Sequence, residues 1–253
     1  MRDLTDLRRE LETLGRRPVL LKAWDPYILG ATDTLAAEVL PAREAARREL
    51  VRCSEPRFPS LALAAADALF SKQRDYEVAV REATRPFAAA FAQLPLRDLL
   101  TIPAADVFRR TFGRDPHAGS ELQHLSPEGR IRTIVDACRV FSSAATTTPE
   151  AARGVLGAHA HRTVLGKQLL RVFGLKGAML QNICINVGLP TVKADIHVRR
   201  FIAPYLGLSV EAPAAAFEEA LLAARPTLGL EPFEVDQIIW YTQHQPECTG
   251  ASA

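Results

Sequence analysis

Between Ala151 and Val210 the chain carries eight lysines or arginines (Arg153, Arg162, Lys167, Arg171, Lys176, Lys193, Arg199 and Arg200) and one carboxylate, Asp195. A lone acid in a basic stretch points to an anionic partner, with the acid kept for a purpose other than surface charge. In KADIHVRRF the aspartate directly precedes a helical run. On the residues alone it is either a helix N-cap or a fixed carboxylate able to stabilise positive charge and activate a water. Upstream, Leu165, Leu169, Leu170 and Phe173 recur at helical spacing until Gly174 ends the pattern, and a second apolar run from Ala178 lasts until Gly188 and Pro190. A helix starting near Gly177 directs its first N–H groups and positive dipole end at the turn between the runs. Such a turn suits a phosphate.

These groups have to be positioned by helices. Leu4, Leu7, Leu11 and Leu14 form a helical stripe ended by Gly15, and Leu35 to Val51 reads as another helix. Arg8, Arg9, Arg16 and Arg17 are interleaved with Asp3, Asp6, Glu10 and Glu12, as on a solvated helix face. Phe58 to Phe70 is a strongly apolar helix with SKQRDY at its end. From Val78 to Leu100 short helices are separated by Pro86 and Pro95, and VDQIIWYTQHQ reads as the last helix.

The order helix, FGLKGA turn, helix, GLPTVKADIHVRRF resembles the helix-hairpin-helix and catalytic-aspartate loop of the endonuclease III superfamily of DNA base-excision glycosylases. Upstream, Leu61 to Tyr76 (LALAAADALFSKQRDY) resembles the family's helix ending in Ser-x-Gln, and Arg130 to Phe141 (RIRTIVDACRVF) a later barrel helix. Downstream, Phe217 to Cys248 resembles the segment leading to the first cysteine of the iron–sulfur loop. The resemblance implies an all-α, two-lobed helix-hairpin-helix (HhH-GPD) fold with a cleft between its lobes. An N-terminal extension, 1–57, is expected to pack with the C-terminal lobe. A helical barrel over 58–189 carries the hairpin at about 165–187, and 190–253 supplies the aspartate loop and the C-terminal helices.

The same resemblance implies the partner, double-stranded DNA, and roles for individual residues. Asp195 takes the place of the catalytic aspartate, meeting the positive charge that builds on the deoxyribose once the base has been flipped out. Gly174, Leu175, Lys176, Gly177 and Ala178 hold the phosphate backbone, with His197 beside the aspartate. Gln73 enters the gap left by the flipped nucleotide, and Lys72 with Arg74 reaches phosphate or remains a solvated helix end. Trp240 or Tyr241 lines the base pocket or packs in the core. Trp24 and Tyr27 stack on a base or anchor a lobe. The segment from Phe108 to Gly129, longer than in compact relatives, is a strand-contacting loop or a solvated connection.

Two departures bear on the chemistry. Bifunctional members use a lysine after the hairpin glycines as Schiff-base nucleophile. Counting from Gly174, Ala178 takes that place and Lys176 replaces the second glycine. The favoured reading is therefore a DNA N-glycosylase without lyase activity. If a one-residue gap falls inside the turn, Lys176 comes into register as the nucleophile. A DNA-binding protein that has lost turnover is the third reading. The base excised is not specified by the sequence.

At 253 residues, 48% hydrophobic and 24% charged, the chain has ordinary globular composition, and its net charge of +2 is too small by itself to indicate nucleic acid. Cys53, Cys138, Cys184 and Cys248 lack metal-site spacing and read as reduced thiols. Cys248 matches the start of the family's cluster loop without three further ligands, so no iron–sulfur cluster is expected. A monovalent cation at the hairpin is compatible with the family pattern. His117, His124, His159 and His161 have no zinc-site pattern. With no signal peptide and no long apolar run, the expectation is a cytoplasmic monomer that does not engage a membrane.

Overall fold

The computed structural model describes residues 2–21, 38–71 and 79–244. In chain order its elements are α1 (Leu4–Gly15), β1 (Pro18–Leu21), β2 (Glu38–Pro41), α2 (Ala42–Arg52), α3 (Leu61–Phe70), α4 (Arg85–Phe91), α5 (Leu96–Leu99), α6 (Ala104–Phe112), α7 (Pro127–Ser143), α8 (Pro149–Leu156), α9 (Val164–Leu169), α10 (Gly177–Asn186), α11 (Ile196–Leu206), α12 (Ala214–Leu228) and α13 (Pro232–His244). A π-helical turn, Val80–Thr84, precedes α4, and single 3-10 turns cover Ser120–Leu122 and Ala160–Arg162.

The chain forms two compact units. The first draws its described residues from 2–21, 38–54 and 190–244, and the second from 55–71 and 79–189. In the first, α1 opens with a capping box on Asp3 and buries Leu7, Leu11 and Leu14. Its charges lie outside, where Arg8 pairs with Glu12 at 2.9 Å. The Leu stripe packs with Val192, Ala194, Val198, Ile202, Phe217, Val235 and Ile238. N- and C-terminal parts of the chain thus share one core.

The sequence suggested a single helix through Leu35–Val51, but strand β2 occupies Glu38–Pro41 and pairs antiparallel with β1, Pro18 opposite Pro41. Pro41 explains the difference. A residue before proline is pushed out of the helical region and proline donates no N–H, so the helix starts only after it, at Ala42.

The second unit is built around α3. All ten residues of LALAAADALF are buried, as in a helix surrounded by others. Phe70, Phe87, Phe91, Phe108, Phe141, Leu165 and Ile183 supply the bulk of the core. Among the polar side chains buried with it, two anchor α3 to its neighbours. Asn186 of α10 donates through Nδ2 to the Ala64 carbonyl at 2.9 Å and to Asp67 Oδ2 at 3.0 Å, tying α10 to the middle of α3. Arg130 of α7, 3% exposed, donates to the Leu69 and Phe70 carbonyls at the C-terminal end of α3. A helix leaves its last carbonyls without intrahelical donors; here the Ser71 N–H reaches the Asp67 and Leu69 carbonyls, and the Arg130 guanidinium adds charged donors at Leu69 and Phe70. Arg130→Met would remove those charged donors while keeping the stem's bulk. The expected loss is about 2–3 kcal/mol in the urea-unfolding free energy; an unchanged midpoint would show the guanidinium to be dispensable.

Candidate functional site: a glycine hairpin and a carboxylate loop

The hairpin lies in the second unit. Thr163 caps α9, its hydroxyl accepting from Gly166 N–H at 3.0 Å. Gly166 must lack a side chain because a Cβ would fall 1.8 Å from the Ala160 carbonyl oxygen. Beyond α9 the chain turns at Gly174, with φ at +83°, a conformation other residues rarely adopt. The Thr133 hydroxyl lies 2.8 Å from the Phe173 carbonyl, and a Cβ on Gly174 would meet Thr133 Oγ1 at 3.0 Å and His124 Cβ at 3.1 Å. The turn is therefore pinned against α7 and the loop before it.

That segment, a strand-contacting loop or a solvated connection on the sequence, is exposed over most of 113–125 and is tied to the unit at a few points. Glu128 accepts from the His117 N–H at 3.3 Å and faces Arg114 at 3.7 Å, while the His124 ring sits edge-on to Phe173 at 5.9 Å. Leu122 and Leu125 remain exposed near its end.

After the turn, Leu175 is buried and Lys176 is exposed. Lys176 is the N-cap of α10, its backbone extended, and no side chain caps the helix. The N–H groups of Gly177 and Ala178 are thus left without a side-chain acceptor, at the positive end of the helix dipole. Lys167, Arg171 and Lys176 are exposed, and none of them pairs with a carboxylate among the described residues. Ala178 is half-buried.

Asp195 lies in the first unit, at the end of a segment with strand-like alternation. Val192 and Ala194 are fully buried, while Thr191, Lys193 and Asp195 are half-buried. Three polar anchors hold it. The Thr191 hydroxyl donates to Glu218 Oε1 of α12 at 2.6 Å, and the Lys193 N–H to Asp236 Oδ2 of α13 at 3.4 Å. Arg199 donates to the Ala194 carbonyl through Nε and to the Ala212 carbonyl at 3.2 Å through its terminal nitrogen. Asp195 caps α11, its Oδ1 accepting from the N–H groups of His197 at 2.9 Å and Val198 at 3.1 Å. Its Oδ2 has no hydrogen-bond partner among the described residues.

The remaining candidates are distributed unevenly. Lys72, Gln73 and Arg74 lie outside the described residues, as do Trp24, Tyr27 and Cys248. His197 is exposed beside Asp195. Tyr241 is 2% exposed in a core with Val19, Leu40, Ala42 and Ala45, and half-buried Trp240 packs against that cluster. Cys53, Cys138 and Cys184 are buried free thiols, with burial pushing Cys138 up to about 12. Among the described residues no group of three His, Cys, Asp or Glu is placed to hold a metal, and no helix is long and apolar enough to cross a membrane.

Asp236 and Glu218 were not singled out by sequence reasoning. Each is one of two acids in its helix, Glu218 beside Glu219 and Asp236 near Glu234, and only the folded chain brings either to the loop. Burial, followed by the negative charge of Asp195, raises Asp236 from 3.8 to about 7; Lys193 and the hydrogen bonds from the Lys193 N–H and Gln237 oppose the shift. In the unfolded chain Asp236 releases its proton near 3.8, and in the folded protein it keeps it to about 7. The folded state therefore binds more protons between these values, and stability from this group falls as pH rises through the window. Asp236→Asn removes the dependence. Measured by urea unfolding at acidic and mildly alkaline pH, the variant should gain on the wild type with rising pH, by at most about 4 kcal/mol. A difference constant with pH would mean that Asp236 ionises as freely folded as unfolded.

The fold is similar to that of the 8-oxoguanine DNA glycosylase of Thermotoga maritima, with a TM-score of 0.52 at 16% identity over 96% of this chain and 99% of that one. This likeness bears out the all-α fold expected from the sequence, with the two-stranded sheet as an addition. A trapped endonuclease III–DNA covalent intermediate (TM-score 0.48, 13% identity, 79% of this chain and 85% of that one) and a thermostable thymine-DNA glycosylase (0.46, 15%, 82% and 91%) also match. No curated protein matches the chain. A family model described as a domain of unknown function, DUF8548, matches residues 36–244, and the chain belongs to that family.

Proposed function

We propose that this protein is a DNA base-excision N-glycosylase that uses water as nucleophile. The observation that carries the reading is Asp195: one carboxylate oxygen is locked by two backbone N–H groups and the other is open, on a fold shared with a glycosylase. A carboxylate fixed through one oxygen keeps its second at a defined place without reorganising during reaction. As the bond from C1′ to the base nitrogen breaks, its electron pair leaves with the base, which takes a proton from solvent. Positive charge builds on the sugar and is met by Asp195 Oδ2. Water then adds to C1′ and gives up a proton to the carboxylate. The uncapped start of α10 and the unpaired Lys167, Arg171 and Lys176 supply the donors and charge for a phosphate backbone.

Ala178, with no amine, stands where the lyase nucleophile would be, which favours simple hydrolysis. Lys176 is exposed and without a carboxylate partner, and it favours a second reading in which its amine attacks C1′ and the enzyme also cleaves abasic sites.

Duplexes carrying alkylated, oxidised, deaminated or mismatched bases test the proposal. Release from at least one duplex is expected to fall by about 100-fold or more in Asp195→Asn, with strand breaks appearing only after alkali. No release from any duplex, or undiminished release by the variant, would overturn it. A covalent adduct after borohydride that is lost in Lys176→Gln would replace hydrolysis by the lyase reading. Separately, Lys176→Glu should weaken duplex binding and reduce the dependence of log affinity on log salt by about one charge. An unaltered slope would remove this lysine from the DNA surface.

A further inference from the structure

Two carboxyl groups bear on the loop entering α11, Asp195 from within it and Asp236 through the Lys193 N–H, each with one oxygen committed and one open among the described residues. Asp195 gives Oδ1 to the His197 and Val198 N–H groups. Asp236 gives Oδ2 to the Lys193 N–H at 3.4 Å and the Gln237 side-chain amide at 3.3 Å. Asp195 Oδ2 and Asp236 Oδ1 have no hydrogen-bond partner among the described residues. Asp236 is 4% exposed, and its neighbours Val235, Ile238 and Ile239 belong to the core. A core position selects against a carboxyl unless it is paired or needed, and here its charged neighbours are the two loop residues Asp195 and Lys193, of opposite sign. The other buried acids on these helices are engaged elsewhere. Glu234 of α13 accepts from Arg47 of α2 and from the Glu231 N–H, and Glu218 of α12 accepts from Thr191.

We propose that Asp236 is a positioning residue of the candidate site, holding the Lys193–Asp195 segment through the Lys193 N–H and adding its own charge, when ionised, to that of Asp195 two residues along the same segment. The proposal rests on the reading of Asp195 as the carboxylate that meets charge developing at the deoxyribose. With Asp236 protonated the two carboxyl groups carry one negative charge, and with it ionised, two. Attraction for a fixed cation should therefore strengthen as Asp236 loses its proton.

The first arm of the test needs no DNA. Carboxyl-carbon NMR of the whole protein with labelled aspartate is followed through a pH titration of wild type, Asp195→Asn and Asp236→Asn. One resonance should titrate near neutrality in the wild type, be absent from Asp236→Asn and move to lower pH in Asp195→Asn. A near-neutral resonance untouched by Asp195→Asn, or none at all, would overturn the coupling of Asp236 to Asp195. Because each variant removes a different member, failure of one to fold leaves the other to decide.

The second arm compares affinity for two duplexes, one with a cationic pyrrolidine abasic analogue and one with a neutral tetrahydrofuran. Wild-type preference for the cation should grow about tenfold or less from mildly acidic to mildly alkaline pH, and that of Asp236→Asn should stay flat. An equal rise in both would overturn the role of Asp236. Failure of the wild type to bind either duplex would instead remove the DNA reading, with the titration still deciding the coupling.

Discussion

A helix that begins inside a protein exposes N–H groups that its own turns cannot satisfy. Two helices of this chain answer that constraint in opposite ways. At α11 the carboxylate of Asp195 closes the end, taking two N–H groups on one oxygen. At α10 no side chain does so, and the first donors are left open beside an exposed lysine. One end carries negative charge and the other leaves donors open. The proposed glycosylase reading calls for these two electrostatic characters, and both come from how a helix starts rather than from many charged side chains.

Keeping a carboxylate in place is harder than capping a helix. The segment before Asp195 is buried on alternate residues, and its polar groups are taken up by side chains of α11, α12 and α13. Two of those side chains are themselves buried acids, Glu218 and Asp236. Glu218 receives a hydroxyl donor at short distance, which suits a buried carboxylate. Asp236 receives longer bonds, and burial first, then the negative charge of Asp195, make it keep its proton to about 7.

The helices, the glycine turn and the cap position of Asp195 were legible because their signals are local. Gly174 and Gly188 bracket an apolar run of helical length, and KADIHV places an acid at a helix start. The cap and catalytic readings of Asp195 are not rivals, since capping uses Oδ1 and leaves Oδ2. The β1–β2 pair was missed because its decisive residue, Pro41, lay inside a run otherwise rich in helix formers. Asp236 and Glu218 were missed for a different reason. Their significance is tertiary, and an acid on an amphipathic helix looks the same in sequence whether it ends in solvent or against a loop.

The hairpin's departure from two spaced glycines is also explained by backbone geometry. Gly174 cannot be replaced cheaply, because its φ of +83° and the nearness of Thr133 and His124 both exclude a side chain. Lys176, in the place of the second glycine, has φ −120° and ψ 170°, an extended conformation open to any residue. The substitution therefore strains nothing. It does place a positive side chain at the positive end of α10, which by itself disfavours the helix by a few tenths to about 1 kcal/mol. A residue that fits sterically but carries the wrong sign for helix stability makes sense where an external anion reverses that sign. Lys167 and Arg171 are exposed on the adjoining segment, also without carboxylate partners among the described residues, and the three cations together are what the proposed DNA partner would meet.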